Sequence, residues 1–124
     1  GQRRALVRFF TQLFTRGGDV IEAARAAGAA DPQLRALMIE GIARHHRETR
    51  RVASSWARAG ALRPGLTTRD AADTLAAITS YPVFAELKAT GWSTRKYERW
   101  LDKTIALLVT YGGPSPDCPG RFDI

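Results

Sequence analysis

The chain has 124 residues, a formal net charge of +7 and 44% hydrophobic residues, which suits one soluble domain with its own core and leaves no room for two ordinary ones. The one cysteine, Cys118, excludes an internal disulfide, and the longest unbroken apolar run, Ile105–Val109, is far too short to span a membrane. With no signal peptide in GQRRALVRFF, these features point to a cytoplasmic protein with no membrane partner.

The positive charge suits an acidic partner, but 16 of the 19 basic residues are arginine and no block of five like charges occurs. Arginine and alanine enrichment of this kind fits a GC-rich genome better than a nucleic-acid-binding arm.

All the strong periodicity is helical. The first segment, about Arg3 to Thr15, places Leu6, Phe9, Phe10 and Leu13 on one face with Phe14 at its edge. Gly17-Gly18 is expected to stop it, and Asp19 to cap a short second helix ending near Gly28. Asp31-Pro32 supplies an N-cap and a first-turn proline for a long third helix, about Pro32 to Ala59. Its inner face reads Leu34, Leu37, Met38, Gly41, Ile42, His45, Thr49, Val52, Ala53 and Trp56. Arg44, Arg47, Arg50, Arg51 and Arg58 lie opposite, read as a solvated face with local pairs such as Glu48–Arg51.

Gly60 to Gly65 is a turn region, and Thr67 to Asp70 resembles a capping box. The helix it opens buries Ala71, Ala72, Leu75, Ile78 and Thr79. Tyr81-Pro82 restarts a short helix carrying Val83, Phe84 and Leu87 and ending at Gly91. Ser93 caps the last helix, with Trp92 and Tyr97 at the two positions of a hydrophobic staple. Arg95 and Lys96 stand in its first turn, where the helix dipole disfavours cations, so tertiary packing must hold it.

That last helix has a wide apolar face: Tyr97, Leu101, Thr104, Ile105 and Leu108 at its centre, Trp100, Leu107 and Tyr111 on one side, Val109 on the other. It covers roughly half the cylinder, more than one core contact needs. The excess is expected to meet a partner chain. The remaining residues, 112–124, hold three prolines and three glycines in thirteen positions and are expected to form an extended tail.

The segment from about Thr68 to Val109 resembles the C-terminal domain of TetR/AcrR-type transcriptional regulators. The resemblance is carried by the alanine-rich helix before Thr79, the Tyr81–Thr90 helix, the Gly91-Trp92-Ser93 joint, and Tyr97 with Trp100-Leu101. The upstream helices extend it over about Arg3 to Tyr111. It implies an all-α fold: an orthogonal/antiparallel bundle of about six helices over residues 1–111, the last two longer helices forming a four-helix bundle with the same pair of a second chain. It implies a homodimer that binds a small hydrophobic effector, with DNA bound only through an N-terminal helix-turn-helix missing from this chain.

Under the resemblance, the effector pocket is expected among Phe10, Phe14, Met38, Ile42, His45, Thr49, Trp56, Tyr81 and Phe84, with Leu13 and Ile78 as further wall positions. His45 and Thr49 stand out as polar groups one turn apart on an apolar face, where each needs a partner: a ligand, a backbone carbonyl or a neighbouring helix. The dimer interface is expected at Leu75, Tyr97, Trp100, Thr104, Leu107 and Tyr111. No nucleophile elbow, phosphate loop, paired carboxylates or metal-ligand spacing stands out, so an enzyme, a metal and a cofactor are not expected. The competing reading is a helical interaction module without a pocket. A basic domain that binds nucleic acid by itself ranks third.

Overall fold

The computed structural model describes residues 2–111. They form five helices: α1 (Gln2–Gly28), α2 (Pro32–Arg58), α3 (Thr68–Ile78), α4 (Tyr81–Ala89) and α5 (Thr94–Leu108). The only bridge among the described residues is an isolated antiparallel one, Leu62 with Thr110. The tail 112–124, with Cys118, lies outside the described residues.

Five helices replace the expected six because Gly17-Gly18 does not end α1. Neither glycine has positive φ. A glycine pair inside a helix costs roughly 1–2 kcal/mol against alanine. Packing on both sides outweighs it: Phe14 is buried before the pair, and half-buried Ile21 packs against the core after it.

The other boundaries follow local chemistry. The Asp31 carboxylate accepts from the amides of Gln33 and Leu34 at 2.9 and 3.4 Å. Thr67 Oγ1 accepts from Asp70 N, and Ser93 Oγ from Lys96 N. Gly91, at φ +97°, takes the left-handed conformation that reverses the chain after α4, and Trp92 N donates back to the Leu87 carbonyl.

α1 and α2 run antiparallel. Trp56 Nε1, near the end of α2, donates to Gln2 Oε1 at the start of α1, and Met38 packs against Gly28 at the opposite end. Each helix is about 40 Å long at 1.5 Å per residue. α3 lies along the second half of α2, and α5 along the first half of α1, fastened by Arg3 Nε to Asp102 at 2.9 Å. The loop after α2 holds the end of α5: Arg63 N donates to Val109 O and Tyr111 N to Ala61 O. The core gathers where these helices overlap, around Phe10, Phe14, Trp56, Leu75, Leu101 and Ile105.

The turn end of the α1–α2 pair extends past the end of α3. This corrects the expected inner face of α2, because Leu37 is 68% and Ile42 57% exposed. The face of α1 is also rotated from expectation. Val7, Phe10, Thr11 and Phe14 are buried, while Phe9 and Leu13 face outward. At the α4–α5 joint the ring partner of Trp92 is Trp100, edge-on at 6.0 Å, rather than Tyr97. The Lys96 ammonium sits 4.4 Å from the centre of the Trp92 ring, which gives that first-turn cation a favourable contact.

Candidate functional site

The structure joins part of the expected pocket wall to part of the expected partner face in one row of rings. It starts with His45 on α2, edge-on to Phe10 at 5.2 Å, and passes to Phe14, stacked on Phe10 at 5.8 Å. Phe84 of α4 follows at 5.4 Å, with Tyr81 beside both. Phe84 then meets Tyr97 of α5 edge-on at 4.9 Å, and Tyr97 leads to Trp100 and Trp92. Offset and edge-to-face pairs at these separations match the positive ring edge to the negative ring face.

Other expected wall residues stand apart from this row. Trp56 is buried at the far end beside Gln2, Met38 is half-buried against Gly28, and Ile42 is exposed. Thr49 is buried, but its hydroxyl donates to the His46 carbonyl of its own helix at 3.0 Å. It therefore has a partner without a ligand.

His45 is satisfied within the protein as well. Its Nε2 lies 3.0 Å from Ala76 O and 3.1 Å from Thr79 Oγ1. The Thr79 proton is committed to Leu75 O at 2.6 Å, and a carbonyl only accepts, so Nε2 carries the proton and donates to both. Both acceptors stand at the end of α3, where carbonyls lack helical partners. His45 thus closes the C-terminus of α3 from a neighbouring helix. Thr79, buried and bonded to His45, was legible only as a core position.

The Tyr81 hydroxyl donates to Glu22 Oε2 at 2.8 Å, which fastens α4 to α1. Partial burial, then the Glu22 carboxylate, hold this phenol above its ordinary pKa. Tyr97 is wholly buried, and its hydroxyl has no hydrogen-bond partner among the described residues. Burial pushes this phenol far up as well. That unpaired hydroxyl is the feature sequence reasoning missed, since Tyr97 reads as one more apolar face position.

The expected interface residues divide. Leu75 and Tyr97 are fully buried within one chain and cannot touch a partner unless the core opens. Trp100 and Thr104 are half-buried. Leu107, Leu108 and Tyr111 are exposed at the end of α5. Other large apolar side chains are also exposed: Phe9, Leu13 and Val20 of α1 and Leu37, Ile39 and Ile42 of α2.

Surface clefts among the described residues include two that do not touch the expected wall. One, of about 430 Å³, is lined by Arg50 and Ser54 of α2 and Thr68, Arg69, Ala72 and Asp73 of α3. The other, of about 680 Å³, lies along Thr94, Arg95, Glu98 and Arg99 of α5. Among the described residues, no group of three metal-ligating side chains gathers, and no helix is long and apolar enough to cross a membrane. The arginine face of α2 carries the local pair Arg51–Glu48 and a second pair, Arg47 with Glu40 at 2.9 Å.

Compared with models of known families, with curated proteins and with solved structures, the chain matches none.

Proposed function

We propose that this chain is the effector-sensing and dimerisation domain of a TetR/AcrR-type transcriptional regulator. The observation that carries the reading is the ring row from His45 to Trp100, which runs from the bundle interior to the helix bearing Leu107 and Leu108. A small hydrophobic effector entering the row displaces rings on α1 and α4 and so moves α5, the helix with the partner face. The effector acts only if it binds one bundle arrangement better than the other. Operator binding in this reading belongs to a helix-turn-helix outside these 124 residues.

Two measurements test it together. Light scattering is expected to find a dimer, and a thermal-shift screen of small hydrophobic molecules is expected to find one that raises the melting temperature. A monomer that no molecule stabilises overturns the reading.

A second reading, a dimerising module without a pocket, is favoured by how closed the row is. Phe10, Phe14 and Phe84 are each at most 5% exposed, and His45 and Thr49 have internal partners. It predicts the dimer without any stabilising small molecule.

A further inference from the structure

Among the described residues, three buried hydroxyls are bonded within the chain and two, those of Tyr97 and Thr110, have no partner. Thr11, Thr49 and Thr79 each donate to a backbone carbonyl of their own chain three or four residues back. A tyrosine oxygen, at the far end of a rigid ring, is out of reach of its own helix and takes its partner from whatever packs opposite. The Tyr97 ring packs edge-on against Phe84 at 4.9 Å, a neighbour that offers no acceptor oxygen or nitrogen. Buried hydroxyls are ordinarily paired, and one left alone points to a group the fold itself does not supply.

Phe84 is held in place by the shortest helix of the bundle, tied to α1 at its start through the Tyr81 hydroxyl. α4 has nine residues and buries one of them, Phe84. Its N-cap, Ser80, makes no side-chain capping bond, because its hydroxyl donates back to Ala77 O. Its other end leaves through Gly91 at φ +97°. Few buried contacts put such an element at the low end of local stability.

We propose that the space beneath α4 is a latent binding site for a small aromatic molecule bearing a carbonyl or similar acceptor, admitted when Phe84 swings out and anchored by the Tyr97 hydroxyl. This rests on the effector-sensing reading above and narrows its ligand class. A ring in the place of Phe84 inherits the neighbours Phe14, at 5.4 Å, and Tyr81, at 6.1 Å. Its acceptor gives the Tyr97 proton the bond it lacks. A hydrocarbon of the same shape fills the space and leaves the hydroxyl unpaired, so the site discriminates by a polar atom more than by a methylene. The Tyr97 phenol keeps its proton through neutral pH and remains a donor.

The test uses acetophenone and ethylbenzene, nearly the same shape with and without an acceptor, titrated into Phe84→Ala. Acetophenone is expected to bind about threefold to tenfold more tightly, the range of one net hydrogen bond, and adding Tyr97→Phe is expected to abolish the difference. Equal affinities in Phe84→Ala, or a preference that survives Tyr97→Phe, overturns the proposal. If Phe84→Ala does not fold, the same comparison is made on Phe84→Leu by ligand-observed NMR, and absence of acetophenone binding to the folded protein overturns it. An effector that stabilises wild type and Tyr97→Phe equally overturns this site and leaves effector sensing standing. A monomeric protein that still prefers acetophenone supports the site and overturns the dimeric regulator.

Discussion

His45 and Thr79 meet across the α2–α3 interface, Nε2 to Oγ1 at 3.1 Å, and the same ring nitrogen also reaches the Ala76 carbonyl at 3.0 Å. One imidazole N–H thereby serves two acceptors at the end of a helix to which it does not belong. His45→Ala leaves the Ala76 carbonyl without this donor, and is expected to lower unfolding stability by about 1–3 kcal/mol. Thr79→Val removes the second acceptor but keeps the shape, and should cost less. Urea unfolding of both single variants and the double variant measures the coupling. Strictly additive effects would sink the shared bond.

Tyr97→Phe separates an unpaired hydroxyl from a paired one. If the oxygen has no partner, its removal leaves stability unchanged or raises it at neutral pH. A loss above about 1 kcal/mol would reveal a bond the structure does not contain.

The same variant carries a pH signature. Burial raises the folded-state pKa of Tyr97 above the unfolded value of about 10. The folded chain therefore holds a proton that the unfolded chain releases. The contribution is fully present below the unfolded pKa and is lost as pH rises from there through the folded value. Wild-type stability is expected to fall above about pH 10, and Tyr97→Phe to fall less steeply. Tyr81 shifts in the same direction, so Tyr81→Phe is the control to compare. Identical alkaline profiles for wild type and Tyr97→Phe would remove the burial argument.

Gly17→Ala tests the continuity of α1. A Cβ built on Gly17 meets nothing within 4 Å, and the residue is helical. The substitution is expected to stabilise by roughly 0.5–1 kcal/mol, seen as a higher melting temperature. If Gly17-Gly18 were a helix break after all, alanine would gain nothing or destabilise.

Leu107→Asp tests the proposed partner face. Leu107 is exposed on one chain, so a charge there costs the monomer little. The variant is expected to stay helical by circular dichroism and to lose the dimer by light scattering. A dimer that persists directs attention to the other exposed apolar side chains, of which Leu37 is tested by Leu37→Asp.

What the residues disclose in advance follows the range of the forces involved. The starts of α2, α3 and α5 are legible because Asp31, Thr67 and Ser93 bond amides two or three residues away. Gly17-Gly18 misleads because packing at Phe14 and Ile21, distant in sequence from its partners, outweighs a local preference. Leu37 and Ile42 mislead for another reason. Periodicity reveals an apolar face, but not how far the neighbouring helices run along it. For the candidate site, Phe10, Phe14, His45, Tyr81 and Phe84 are readable as a group of helix faces. Tyr97 becomes distinctive only when its opposite number is known to be Phe84.

Two indoles, those of Trp92 and Trp100, stand nearly perpendicular at 6.0 Å where the ring row reaches the α4–α5 joint. Their electronic transitions are close enough to couple, so the pair is expected to produce an exciton signal in circular dichroism. Trp56 lies at the other end of the bundle beside Gln2 and does not share in it. The protein thus carries its own optical gauge of the α4–α5 joint. Any rotation of α5 that follows a change beneath α4 is expected to alter the couplet before it alters helix content.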